Sequence, residues 1–392
     1  MTLRPPVSTN TIPPTHSSSR FGFIDAFRGL AVLVMIETHV FNALLRVPLK
    51  DEVFFKVLTF VNGLVAPSFL FCAGFGFAII MHRRWREFIS LERPFWRYIF
   101  RLMFILVVAY SLHIPFFSLR RMMTVTDQQL WTSFFQVDIL QVIAITLMFL
   151  ALLSVIVRDQ RRFIVVASAI SLVLVMITPV VREMDLSNLP IWFRSFLTNK
   201  FKSQFPLVPW SAFLMSGTIV GYTYVRANQD SAEPRTMNRL ALMAAGAIVL
   251  ALLVEVLPFT VYPDHDFWKA SPEFFLVRLG LVILGCIGLW KFEQRRTMSP
   301  KSPIALFGQE SLLVYTVHLL VVYGYTYEWS FIRKFGPTLD YLECLGLTAA
   351  LTLAMYLMAY VWHWMKGWNK RVATGVEYAV LAGIVAWFVL KP

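Results

Sequence analysis

The chain has 392 residues, of which 57% are hydrophobic and 15% are charged, and its formal net charge is +13. A mean hydropathy of +0.63 is well above that of a soluble domain. This composition argues against an ordinary soluble fold. The three cysteines, Cys72, Cys286 and Cys344, fall singly inside apolar runs, which argues against a disulfide framework or a zinc site. We expect no metal.

Residues 1–20 are rich in proline, serine and threonine and contain no apolar core. We expect them to form a disordered cytoplasmic tail rather than a cleaved signal. Residues 21–392 show no internal repeat and no separate soluble region, so they are expected to form one transmembrane domain.

Eleven apolar segments follow the tail, and most are long enough to cross a bilayer. They are 27–45, 54–80, 98–117, 134–157, 163–181, 206–225, 240–257, 274–290, 304–327, 341–364 and 376–390. The last segment is the shortest, so a count of ten stays open. The pattern predicts an all-α polytopic integral membrane protein, a bundle of 10–11 transmembrane helices.

Lysine and arginine are concentrated in alternate connections, most densely between residues 83 and 101. By the positive-inside rule, this distribution predicts a cytoplasmic N-terminus and an extracytoplasmic C-terminus. Topology and contact with membrane lipid explain the positive charge, so we expect no nucleic-acid partner. We expect the protein in a bacterial cytoplasmic (inner) membrane.

Two polar residues of the first segment share one helical face. Arg28 and His39 are eleven residues apart in number, and eleven steps of 100° return to within about 20° of the starting direction. They would lie about 16 Å apart along the axis. The spacing therefore predicts a cation at the cytoplasmic mouth and a titratable base in the outer half of the bilayer.

Other segments bring polar side chains to the same outer layer, where an ionisable group costs roughly 2.5–3.5 kcal/mol unless it is paired or hydrated. These are Asn62 and Ser68 of the second segment, Asp138 and Gln141 of the fourth, Trp210 of the sixth, and Tyr315 and His318 of the ninth. The convergence predicts a buried polar site, and the connections 182–205 and 258–273 are long enough to cover its mouth. We interpret His82 and His113 as interfacial, and Glu37 as facing away from His39.

Several blocks of sequence resemble the heparan-alpha-glucosaminide N-acetyltransferase-like family. The blocks are residues 23–33, 62–74, 137–141, 205–210 and 307–318, and their order along the chain is more specific than any one of them. The spacing of Arg28 and His39 is similar to that of the wider acyltransferase-3-like superfamily.

The resemblance implies a membrane-embedded acyltransferase that uses cytoplasmic acyl-CoA, usually acetyl-CoA. The acyl group would pass to a hydroxyl or amine of an extracytoplasmic carbohydrate in the cell envelope. A histidine is a suitable general base near neutral pH. The expected catalytic residues are His39, as the base, with Asp138 and His318. The expected CoA-binding residues are Arg28, Arg83 and Arg84, and the expected acceptor-binding residues are Asn62, Ser68, Trp210 and Tyr315.

Alternatives stay open at this point. The heparan enzymes often carry Asn at the position of His39 and a catalytic His in the following segment, whereas residues 40–53 here contain no His. O-acylation is therefore as plausible as N-acylation, and the heparan substrate is not carried over. A secondary transporter of a small polar or sugar-derived solute would also place polar groups at this depth. Arg28 could instead be a topological anchor pairing with Asp25, and a homodimer is also left open.

Overall fold

The structure is a computed structural model that describes residues 21–257, 267–296, 299, 302–324 and 329–391. The tail expected at 1–20 and most of the connection expected at 258–273 lie outside the described residues. Within the described ranges the protein is helical, and its only strand-like pairing is an isolated bridge between Leu45 and Leu339. The all-α prediction is confirmed.

The helices are numbered in chain order. The first are α1 (Gly22–Leu44), α2 (Val53–Asn62), α3 (Val65–Ile89), α4 (Arg93–Ser111), α5 (Leu119–Thr124), α6 (Gln128–Phe134) and α7 (Ile139–Val157). Then follow α8 (Gln160–Met176), α9 (Thr178–Glu183), α10 (Ile191–Leu197), α11 (Leu207–Gln229), α12 (Glu233–Glu255) and α13 (Phe267–Ala270). The last are α14 (Pro272–Arg295), α15 (Pro303–Gln309), α16 (Ser311–Tyr323), α17 (Phe331–Phe335), α18 (Tyr341–Trp368) and α19 (Lys370–Leu390).

Seven helical stretches of the described chain are long and apolar enough to cross a membrane. They are α2 with α3, and α4, α7, α12, α14, α18 and α19. The pair α15 and α16 passes the same test together, although it is bent by 86°. The protein is therefore a polytopic membrane protein. The other predicted segments are also helical, as α1, α8 and α11, and the total of ten or eleven spans stays a prediction.

Helix α1 lies at the centre of the bundle, in contact with α3, α14, α15, α16 and α18. Its apolar residues Val32, Ile36 and Val40 are completely buried. In contrast, α12 and α19 expose leucine and valine side chains along most of their length, as lipid-facing helices do. The polar groups of α1 are thus held inside the bundle. We call the end of the bundle where α1 ends the distal end, and the opposite end the proximal end.

Helices α3 and α11 pack closely through two glycines. A Cβ atom at Gly74 would overlap the carbonyl oxygen of Leu214, and one at Gly217 would overlap the carbonyl oxygen of Phe71. Small residues at a helix interface allow this approach of the two backbones. The contact fixes α3 against α11, and both helices contribute side chains to the cavity described below.

We predict that Gly217→Ala lowers the thermal unfolding midpoint of the detergent-purified protein, because overpacking such a contact costs about 1–3 kcal/mol. The control is Gly246→Ala on α12, where an added Cβ meets no atom within 4 Å. That control should be neutral or slightly stabilising, since alanine is a better helix former than glycine. Equal stability of the two variants would contradict the packing described for α3 and α11.

Candidate active site

A cavity of about 580 Å³ lies at the distal end of the bundle. Five of the residues predicted from the sequence line it, namely His39, Asn62, Asp138, Trp210 and Tyr315. Arg182, Asn199, Gln204 and Trp268 also line it, so the two long connections reach its wall as expected. Tyr323 and Arg278 line the cavity too, and the sequence did not single out Tyr323.

His39 is held by the end of α16. Its Nδ1 atom lies 3.1 Å from the hydroxyl oxygen of Tyr323, and the two rings meet edge to face with centroids 5.5 Å apart. Tyr323 is the last residue of α16, and Gly324 follows it with φ +56°, a left-handed helix end that glycine adopts without strain. Because Nδ1 is engaged by Tyr323, Nε2 is the ring nitrogen that remains to exchange a proton with a ligand.

His318 lies behind His39 rather than on the cavity wall. It is completely buried, and the centroids of the two imidazole rings are 5.2 Å apart. Its Nδ1 donates a hydrogen bond of 2.7 Å to the carbonyl oxygen of Val314, one turn earlier, so Nε2 is the unprotonated nitrogen. That Nε2 atom is buried and has no hydrogen-bond partner among the described residues. His318 can therefore act on His39 but does not contact a ligand in the cavity.

Asp138 is the N-cap residue of α7 and not a residue of the helix interior. Its backbone N–H donates to the side-chain oxygen of Gln141 at 3.1 Å, which forms one half of a capping box. Its Oδ2 atom lies 2.8 Å from Nε2 of His113, and the side-chain amide of Gln136 donates to Nδ1 of His113 at 2.7 Å. Nε2–H of His113 is therefore the donor to Asp138. His113, which we interpreted from the sequence as interfacial, is buried in the protein beside Asp138.

The remaining predicted acceptor residues divide into two groups. Asn62, at the end of α2, lines the cavity and hydrogen-bonds to Glu37, so Glu37 packs behind this wall of the cavity. Trp210 also lines the cavity, and its ring meets that of Phe205 edge to face at 4.7 Å. Ser68 is buried and does not line the cavity. Its predicted contact with the acceptor therefore has no support from its position.

The predicted CoA-binding residues lie proximal to this cavity. Arg28 does not line it, and its Nη2 atom donates to the carbonyl oxygen of Cys72 on α3 at 3.3 Å. Arg83 and Arg84 line a separate cleft of about 390 Å³ between α3 and α4, together with Arg97 and Arg101. From the sequence we predicted one CoA-binding set made of Arg28, Arg83 and Arg84. In the structure Arg28 lies at a different depth of the bundle from Arg83 and Arg84.

Arg28 and this cleft are related through one face of α3. A Cβ atom added at Gly76, one turn beyond Cys72, would lie 3.8 Å from Nη2 of Arg28. Arg83 is seven residues further along α3, which returns to nearly the same face about 10 Å away along the axis. Arg28 and the arginines of the proximal cleft therefore lie along one side of α3. The described residues contain no group of three or more His, Cys, Asp or Glu side chains arranged to hold a metal ion.

Comparison with known proteins identifies one family over more than half of the chain. The family described as "Heparan-alpha-glucosaminide N-acetyltransferase, catalytic" matches residues 20–254. The matched range contains Arg28, His39, Asp138 and Trp210 and ends before His318. No curated protein matches the sequence.

The hydrogen bond between His113 and Asp138 should make the effects of substituting these two residues on thermal stability non-additive. Removing one partner of a buried pair leaves the other unsatisfied, at a cost of about 1–3 kcal/mol. We predict that His113→Leu and Asp138→Asn each lower the unfolding midpoint, and that the double variant loses less than the two effects added together. Strictly additive losses in thermal unfolding would show that the two side chains do not interact.

Proposed function

Because the chain belongs to the heparan-alpha-glucosaminide N-acetyltransferase catalytic family, and is therefore a membrane acetyltransferase, we propose the following reaction. An acetyl or related acyl group passes from cytoplasmic acyl-CoA to a hydroxyl or amine of a carbohydrate on the extracytoplasmic side. In this proposal the distal end of the bundle faces the cell exterior. The membrane is a bacterial cytoplasmic membrane and the acceptor is a glycan of the cell envelope.

The observation that carries the proposal is the position of His39. It lines the distal cavity, and the tautomer in which Nδ1–H donates to the hydroxyl oxygen of Tyr323 leaves Nε2 unprotonated, as a general base requires. His39 accepts the proton of the acceptor hydroxyl or amine while the acceptor atom attacks the thioester carbonyl carbon. The carbon–sulfur bond then breaks, and the departing CoA thiolate takes the proton back from His39. Holding both reactants in one cavity supplies much of the remaining rate enhancement.

Two further predicted residues act through their neighbours in this scheme. His318 is a positioning residue, because its ring packs against His39 and does not reach the cavity. Asp138 lines the cavity and lies within electrostatic reach of Tyr323, the residue that holds His39. Its direct partner is His113, so we assign it to the wall that orients Tyr323 and not to proton transfer with the acceptor.

The donor is proposed to enter from the proximal end. Arginine side chains bind phosphate oxygens through paired, charge-assisted hydrogen bonds. The phosphates of acyl-CoA would be bound by Arg83 and Arg84, with Arg97 and Arg101 of the same cleft. Arg28, further along α3, would bind the pantetheine arm, the chain that links these phosphates to the thioester. The arm then has to extend about 16 Å along α1 to bring the thioester to His39.

The acceptor is proposed to bind on the distal side of the thioester. Trp210 offers an aromatic face of the kind that packs against a sugar ring, and Asn62 and Tyr315 offer polar groups on the same wall. His39 can deprotonate either a hydroxyl or an amine, so the geometry is compatible with both O- and N-acylation. The protein is expected to function in contact with lipid, as a monomer or a homodimer.

His39→Ala and His39→Asn should each lower acetyl transfer by roughly 10²–10⁴-fold, because a general base contributes a factor of this size. Tyr323→Phe should have a smaller effect, since it removes one neutral hydrogen bond worth about 1 kcal/mol. The measurement is transfer of labelled acetate from acetyl-CoA to an envelope extract by purified protein. Binding of acetyl-CoA is measured in parallel.

The matched control is His363→Asn, since His363 is half exposed on α18 and contacts Glu310 outside the cavity. It should keep its transfer activity. Full activity of a folded His39→Ala protein would rule out His39 as the base. Loss of acetyl-CoA binding in the His39 variants would indicate a role in binding the donor instead.

A further inference from the structure

Helix α4 carries three exposed arginines, and none of them forms an ion pair with a carboxylate of the described residues. Arg93, Arg97 and Arg101 follow one another at intervals of four residues in the proximal half of the helix. The ion pair nearest to them along the chain joins Arg84 to Glu87 on α3 at 3.9 Å and includes none of the three. A guanidinium group at the edge of a membrane needs a counter-ion or water. These three side chains are therefore available to a bound anion.

A cavity of about 400 Å³ lies on the outer face of α4 and is lined by Arg93, Trp96, Arg97 and Phe100. These positions follow the spacing i, i+3, i+4 and i+7, which belongs to one face of a helix. The wall comes from α4 alone, and Trp96 and Phe100 are 49% and 69% exposed. The cavity, which we call the outer cavity, therefore faces the surroundings of the bundle and not its interior.

An apolar stripe continues from the outer cavity along α4 toward the middle of the membrane. Phe104 and Val107 lie four and seven residues beyond Phe100, on the same side of the helix, and both are exposed. The surface thus combines a cationic part at the proximal end with a hydrocarbon part beyond it. An amphiphilic ligand would contact both parts, whereas a water-soluble phosphate ester would contact only the first.

The outer cavity is distinct from the proximal cleft that we assign to the donor. That cleft lies between α3 and α4 and includes Arg83 and Arg84, whereas Arg93 and Trp96 line the outer cavity and not the cleft. Arg97 borders both. Since a guanidinium group has five N–H donors, Arg97 can contact a group on either side. Arg93 is therefore the residue through which the outer cavity can be tested separately from the cleft.

We propose that the outer cavity binds the headgroup of an anionic phospholipid of the phosphatidylglycerol type, from the leaflet at the proximal end. Arg93 and Arg97 would bind its phosphate oxygens through charge-assisted hydrogen bonds, and an acyl chain would lie against Phe100 and Phe104. Clusters of basic side chains at a membrane surface attract such lipids. Residues 83–101 contain six arginines and two glutamates, so the charge of the lipid is complementary to that of this surface. The inference does not rest on the proposed function, because lipid binding requires no acetyl transfer.

The test is native mass spectrometry of the delipidated, detergent-purified full chain, titrated with dioleoyl phosphatidylglycerol or dioleoyl phosphatidylcholine. The choline cation of the second lipid offsets its phosphate charge, so we expect phosphatidylglycerol to bind about tenfold more tightly or better. Arg93→Gln should weaken phosphatidylglycerol binding about fivefold or more and leave phosphatidylcholine binding unchanged. Arg93→Lys should keep part of the preference, because lysine retains the charge but not the guanidinium fork.

The matched control is Arg161→Gln. Arg161 is an exposed arginine in the first turn of α8, and it lines neither the outer cavity nor the donor cleft. It should bind both lipids as the unchanged protein does. Equal losses in Arg93→Gln and Arg161→Gln would show that only the general positive charge attracts the lipid, and this result would overturn the proposed site. Equal affinity of the unchanged protein for the two lipids would overturn it as well.

Two further measurements distinguish the lipid from a soluble phosphate. Glycerophosphoglycerol, the headgroup without acyl chains, should not displace phosphatidylglycerol at equal concentration, because it lacks the contact with the apolar stripe. Displacement by it would identify a soluble phosphate as the ligand and contradict the inference. Acetyl-CoA binding by Arg93→Gln should match that of the unchanged protein. A loss of acetyl-CoA affinity as large as the loss for phosphatidylglycerol would assign the outer cavity to the donor instead.

Discussion

A polar side chain inside an apolar bundle has to be paired or hydrated, and this constraint determines the arrangement of the protein. His39 lies on the central helix α1 and is paired with Tyr323 at 3.1 Å. Asp138 caps α7 and is paired with His113 at 2.8 Å. These groups meet around one cavity, so the polar residues of separate spans share one site. The cost of placing each of them in the membrane is reduced because they are brought together.

The direction of α16 makes this convergence possible. The 86° bend between α15 and α16 occurs at Glu310, which is buried and bound by Lys366 of α18 at 2.6 Å. Helix α15 packs along the beginning of α1, so close that a Cβ at Gly308 would overlap the carbonyl oxygen of Asp25. Beyond the bend, α16 brings His318 and Tyr323 to the side of His39.

Helical periodicity explains how much of this site the sequence predicts. The apolar segments and the positions of His39, Asn62, Trp210 and Tyr315 follow from the regular rise and turn of a helix, and all four residues line one cavity. The pairing of His113 with Asp138 could not be predicted in this way. The chain between these residues contains short helices and turns without a period, so sequence spacing does not reveal their contact. Tyr323 was missed because a tyrosine near the end of a span resembles an ordinary interfacial aromatic residue.

The central claim is that donor and acceptor meet at His39 from opposite sides of the membrane. The most direct measurement uses oriented vesicles of the full chain, with labelled acetyl-CoA and a membrane-impermeant acceptor on opposite sides. The account predicts labelled acceptor only when acetyl-CoA is on the side of the 83–101 connection, and no product in vesicles containing His39→Ala. Product formed only when both reactants are on the side of residues 182–205, with none formed across the membrane, would contradict it.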